Sequence, residues 1–147
     1  MPLEPPQRDE NGRVIPHNHE GILSEDWAIR RIPINWVVFD PKINGNRISS
    51  YAFKPSSGVK SGLSVDLQRQ IEDAGLDARQ YVTNPRWVGS LSINVGQIRV
   101  NGFMIGYDPL PDNPYHGEVW GEFSKANQKK LRDISNWFVP IEGVVIA

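Results

Sequence analysis

Residues 87–108 read WVGSLSINVGQIRVNGFMIGYD, and the reading of this stretch decides how much of the chain is sheet. Leu91, Ile93 and Val95 alternate with polar neighbours, the period of a half-buried strand. Beyond Asn101-Gly102, a pair suited to positive φ, Phe103, Ile105 and Tyr107 repeat that spacing. A hairpin is therefore expected here. A helix competes for the middle of it: Val95, Ile98 and Gly102 fit a short turn of helix closed by glycine, with Phe103 as its hydrophobic clasp. Gly96 weighs against that helix by about 1 kcal/mol relative to alanine, and the strand reading is preferred.

Downstream, Pro109, Pro111 and Pro114 stiffen a loop, and His116–Gly121 reads as a short strand. Ser124 is a cap for a final helix whose stripe is Leu131, Ile134 and Phe138, stopped by Pro140. Upstream, Ser64 reads as the cap of a helix with Asp66 in its first turn, Leu67, Ile71 and Ala74 on one face, and Gly75 at its end. Lys54–Gly62 is a loop. Trp36–Phe39 and Arg47–Phe53 flank Asp40-Pro41 and Asn44-Gly45 as a hairpin across a loop. Ser24 caps a short helical turn that Pro33 stops. Pro2, Pro5, Pro6 and Pro16 break up residues 1–21, expected to be a flexible tail before a single globular domain over 22–147. The expected fold class is α+β: a small antiparallel or mixed sheet with two main helices packed against it.

Composition narrows the function classes. At 147 residues with 39% hydrophobic and 22% charged residues, the chain can bury a core and is too apolar for disorder. The formal net charge is −1, which argues against a nucleic-acid partner and leaves no global field for polyanions. With no cysteine, thiolate nucleophiles, disulfides and cysteine zinc sites are excluded, and a cytoplasmic location is expected. No apolar run reaches the roughly 20 residues needed to cross a bilayer, so no membrane partner is expected. There is no P-loop, Gly-x-Gly-x-x-Gly or His-Glu-x-x-His, and no cofactor is expected.

The strongest constellation is His116, Glu118 and Trp120, which share one face if 116–120 is a strand. Glu118 can orient His116 as an acid or base, and Trp120 can supply a stacking wall. The same residues also suit an ordinary sheet edge. Arg31 can clamp an anion with its planar fork. The hydroxyl-rich stretch 49–57 and the backbone at Ser64 are a second candidate anion site, opposed by a plain loop reading. His17, His19 and Glu20 could ligate a metal together with His116, but a proline-bounded tail fixes no geometry, and no metal is expected. Lys125, Lys129, Lys130 and Arg132 form a basic helix face that Glu122 and Asp133 interrupt.

Two functions follow. The first is a non-catalytic protein-binding or accessory module, suggested by the five tryptophans and the proline-rich tail. The alternative is a small enzyme acting on an anionic, nucleotide-like substrate, with His116 and Glu118 catalytic and Arg31, Ser64 and Trp120 binding substrate. Convergence of these side chains in one concave pocket favours the enzyme, whereas a flat exposed aromatic patch favours docking.

Overall fold

The computed structural model describes residues 2–55 and 62–146. In chain order these form β1 (Trp27–Pro33), β2 (Val37–Asp40), β3 (Gly45–Ile48), β4 (Leu63–Leu67), α1 (Gln68–Asp73), α2 (Ala78–Val82), β5 (Trp87–Asn94), α3 (Val95–Val100), β6 (Met104–Tyr107), β7 (His116–Trp120), α4 (Lys125–Asp133), β8 (Ser135–Val139) and β9 (Val144–Val145). Six strands make one sheet in the order β6-β7-β4-β1-β5-β8, antiparallel throughout. The other three form a β2-β3-β9 sheet, with β9 parallel to β3. The α+β class stands. The small sheet with two main helices does not, because the described residues hold nine strands and four short helices. Most of the expected loop at 54–62 lies outside the described residues.

Four segments account for the difference. Trp27–Pro33 is a central strand, not the end of a helical turn. Ala28 and Ile32 enter the main core, while Ile29 enters a second core with Ile71, Ala78, Val82 and Phe138. Burial on both faces removes the polar alternation that marks an exposed strand, and two arginines disguise what remains. Ser64 lies within β4, and α1 starts after Leu67 with no side-chain cap. Leu63, Val65 and Leu67 alternate onto the core face, so the ladder to β7 claims this stretch before a helix can. Ser64 is exposed, so Ser64→Ala is expected to change stability by less than about 0.5 kcal/mol rather than the ~1 kcal/mol of a lost cap. A urea melt of the two proteins decides between them.

The contested stretch divides. Leu91 and Ile93 lie in β5, but Val95–Val100 is the helix, capped by Asn94, whose side chain accepts from Gln97 N. Gly102, at φ +91°, ends it, and Phe103 N–H donates to the Ile98 carbonyl at 3.2 Å. That is the glycine closure with its hydrophobic clasp, and together with the Asn94 cap it outweighs the cost of Gly96. At the C-terminal end, Ser124 caps α4 as expected, accepting from Asn127 N at 3.2 Å. The helix stops at Asp133, however, and Phe138 sits in β8 beside β5.

The N-terminal segment lies along the free edge of β6. His19 N–H donates to the Ile105 carbonyl at 3.1 Å, and the amides of Ile105 and Tyr107 donate to Asn18 Oδ1 at 3.0 Å and His17 Nε2 at 3.2 Å. Side chains here satisfy amides that an edge strand otherwise presents to solvent. Gly106 allows the approach: a Cβ there would stand 2.6 Å from the His17 ring. Among the described residues no helix is long and apolar enough to cross a membrane.

Candidate functional site

One face of the six-stranded sheet carries Arg31 from β1, Ser64 and Asp66 from β4, and His116, Glu118 and Trp120 from β7. Pairing of Asp66 with His116 and of Ser64 with Glu118 sets them side by side. α2 and the β6–β7 loop pack over this face, joined through Tyr81 and Asn113. A groove of about 970 Å³ here is lined by Arg31, Ser64, Asp66, Tyr81, Asn113 and His116, with Trp36, Trp87 and Pro85 as apolar lining.

A single network forms the polar floor. Arg31 grips Asp66 with both arms, Nε to Oδ2 at 2.7 Å and Nη2 to Oδ1 at 3.1 Å. Asn113 Nδ2 donates to the same Asp66 Oδ1 at 2.7 Å, and Tyr81 OH donates to Asn113 Oδ1 at 2.7 Å. The Arg31 guanidinium also lies over the Tyr81 ring, 5.6 Å from its centroid. Burial, then the charge of Asp66, raises the Tyr81 pKa and keeps its phenol a donor.

His116 is buried, and Asp108 orients it. Nδ1 donates to the Asp108 carbonyl at 2.8 Å, with Asp108 Oδ2 3.3 Å away, and the Asp108 amide returns a bond to the His116 carbonyl at 3.0 Å. This leaves Nε2 without a protein hydrogen bond among the described residues, on a ring that lines the groove. Burial alone lowers the His116 pKa, but the hydrogen bonds and charge of Asp108 outweigh it, and the value rises above the ordinary 6.5. A group raised on folding adds stability that is complete below pH 6.5 and lost as pH climbs through the folded value. Asp108→Asn is expected to lower the His116 midpoint in an NMR titration and to flatten that slope of stability with pH. Glu118→Gln is expected to move the midpoint less, and a larger shift from Glu118→Gln would sink the assignment of Asp108 as the orienting group.

Of the residues singled out from the sequence, Arg31, Ser64 and His116 meet in the groove, while Glu118 and Trp120 do not line it. Glu118 makes no hydrogen bond to His116. Burial, then Asp108, raises the Glu118 pKa, and the charge of His116 opposes that rise. Trp120 is buried beneath His17, ring centroids 5.3 Å apart. The fork of Arg31 is occupied by Asp66. The tail histidines bond to backbone: His17 through the Ile15 carbonyl and Tyr107 amide, His19 through the Glu4 carbonyl and Gly21 amide. No cluster of three or more His, Asp or Glu side chains among the described residues is placed to hold a metal ion. Of the hydroxyl-rich stretch, Ser49 accepts from the Tyr51 amide, and Ser56 and Ser57 lie outside the described residues.

Sequence reasoning missed Asp66, Asp108, Tyr81, Asn113 and Arg30. For Asp108 a signal existed, because a hairpin pairing Tyr107 with Gly117 sets Asp108 opposite His116. Comparison with family models, with curated proteins and with solved structures finds no match for this chain.

Proposed function

We propose that the groove is a small-molecule site in which His116 exchanges a proton with the bound ligand, making the chain a small acid–base enzyme. The observation that supports this is the convergence of a carboxylate-oriented imidazole, with Nε2 open, on a concave polar floor with an aromatic lining. Asp108 holds the ring in the tautomer that leaves Nε2 as base, and the raised pKa lets the protonated ring act as acid near neutrality. Arg31, Asp66, Asn113 and Tyr81 hold that floor together, and Ser64 supplies an exposed hydroxyl. Glu118 affects the site only through its charge.

A protein-docking module is the second reading. It is supported by the exposed Ile34, Phe39, Ile43 and Tyr51, all from the segment around the three-stranded sheet. A near-neutral charge disfavours nucleic acid under either reading, and the absence of cysteine suits the cytoplasm.

The test is a metabolite-mixture screen on ¹⁵N-labelled protein, with turnover followed through product resonances. Ligands are expected to shift the backbone signals of Arg31, Ser64 and His116. His116→Ala is expected to cut turnover about 10²–10⁴-fold, measured below the lowered melting point that loss of a buried, hydrogen-bonded ring brings. Shifts confined to residues 34–51, with no turnover, would overturn the enzyme reading in favour of docking.

A further inference from the structure

Arg30 is a buried cation in the wall of the groove with no ion-pair partner among the described residues. It projects from β1 where the ladder to β4 ends after Ala28–Leu67 and Ile29–Asp66, and only 6% of it is exposed. Its Nε donates to the Ala52 carbonyl at 2.9 Å and its Nη1 to the Ser64 carbonyl at 3.0 Å. Nη2 has no partner among the described residues. The nearby carboxylate, Asp66, is gripped by Arg31 and forms no ion pair with Arg30. Burial pushes the Arg30 guanidinium down to about 10, with the charge of Asp66 opposing the fall. An uncompensated buried charge costs several kcal/mol, a cost that a bound anion offsets.

We infer that Arg30 is the anion-recognition residue of the groove, receiving a ligand oxyanion, phosphate monoester or carboxylate, on its unpartnered Nη2. Two of the five guanidinium donors are taken by neutral carbonyls. Three donors remain, one on Nη1 and two on Nη2, and an oxyanion in the guanidinium plane accepts from Nη2. Trp36, half-buried and stacked with its ring centroid 4.9 Å from Cζ, covers one face of the guanidinium. Nη2 is closed to solvent in this state, so Trp36 gives way as the anion enters. The anion role that sequence assigned to Arg31 passes to its neighbour, because the Arg31 fork is occupied. The inference rests on the small-molecule reading of the groove and adds the substrate class: the ligand carries an oxyanion.

The experiment titrates ¹⁵N-labelled protein with inorganic phosphate and, in a separate arm, with acetate, at constant ionic strength held with sodium chloride. The Arg30 Nε–H signal is expected to shift saturably, and the tighter of the two anions identifies phosphate or carboxylate. A change in tryptophan fluorescence, lost in Trp36→Phe, is expected with the same midpoint. Arg30→Lys is expected to weaken that binding about 10-fold or more, and should it fail to fold, the wild-type titration still decides. Shifts at Arg86 alone, or shifts linear in anion concentration, would overturn the proposal. An unresponsive Arg30 alongside a His116 ring that responds to a metabolite removes the anion site and keeps the acid–base reading. A responsive Arg30 in a protein without His116-dependent turnover keeps the anion site and removes the catalysis.

Discussion

Asp66→Ala is expected to destabilise the protein by about 3–5 kcal/mol, read as a fall in the urea midpoint at unchanged slope. Asp66 sits in β4 between β1 and β7, with 3% of its surface exposed. It accepts both arms of Arg31 and the Asn113 amide. Removing it leaves the Arg31 guanidinium, with a side chain only 21% exposed, without its counter-charge. Asn113 loses its acceptor as well, and with it the bond that ties the β6–β7 loop, and through that loop Tyr81 of α2, to β4. Partial access of water to Arg31 places the loss at the lower end of the range. Asp66→Asn keeps the shape and one acceptor oxygen, and is expected to lose less. A change under about 1 kcal/mol in the alanine variant would show that the network contributes little to the fold.

Leu131→Ala is expected to cost about 2–5 kcal/mol. Leu131 has no exposed surface and is the one fully buried side chain of α4. Through it the helix packs on the main core beside the Ser50–Phe53 turn. The lysines of α4 are exposed, and Lys129 pairs locally with Asp133 at 2.9 Å. The helix has no second anchor of that size, so the vacated volume is filled only if α4 shifts as a body. Calorimetry or a denaturant melt measures the loss, and an unchanged midpoint would mean that the core closes over the gap.

The open Nε2 of His116 and the unpartnered Nη2 of Arg30 are two features that the fold leaves unsatisfied in one groove. Each is held by backbone carbonyls on its other side: Asp108 for the imidazole, Ala52 and Ser64 for the guanidinium. The carbonyls fix direction, and only the imidazole also has a carboxylate beside it, Asp108 Oδ2 at 3.3 Å, so in the proposed site the groove offers an oriented base and an oriented cation.

Local chemistry alone determined the α+β class and several breaks in the chain. Asn44 and Gly45 close the first hairpin, Gly75 follows α1 at φ +81°, and Ser124 caps α4. Each depends on the conformational range of one residue or on a bond spanning three positions, so each is written in its own neighbourhood. Tertiary structure decided which apolar runs became strands and which polar side chains met. Trp27–Pro33, Leu63–Leu67 and Ser135–Val139 are strands because ladders from distant segments satisfy their backbone groups, and no local pattern names the partner. Arg31 is tolerated at the centre of the sheet because Asp66, 35 residues away, pairs with it. His116 is aimed by Asp108 because the register of β6 on β7 sets the two opposite each other. Periodicity announces a face, but register across strands assigns its neighbours, and the groove is built from neighbours.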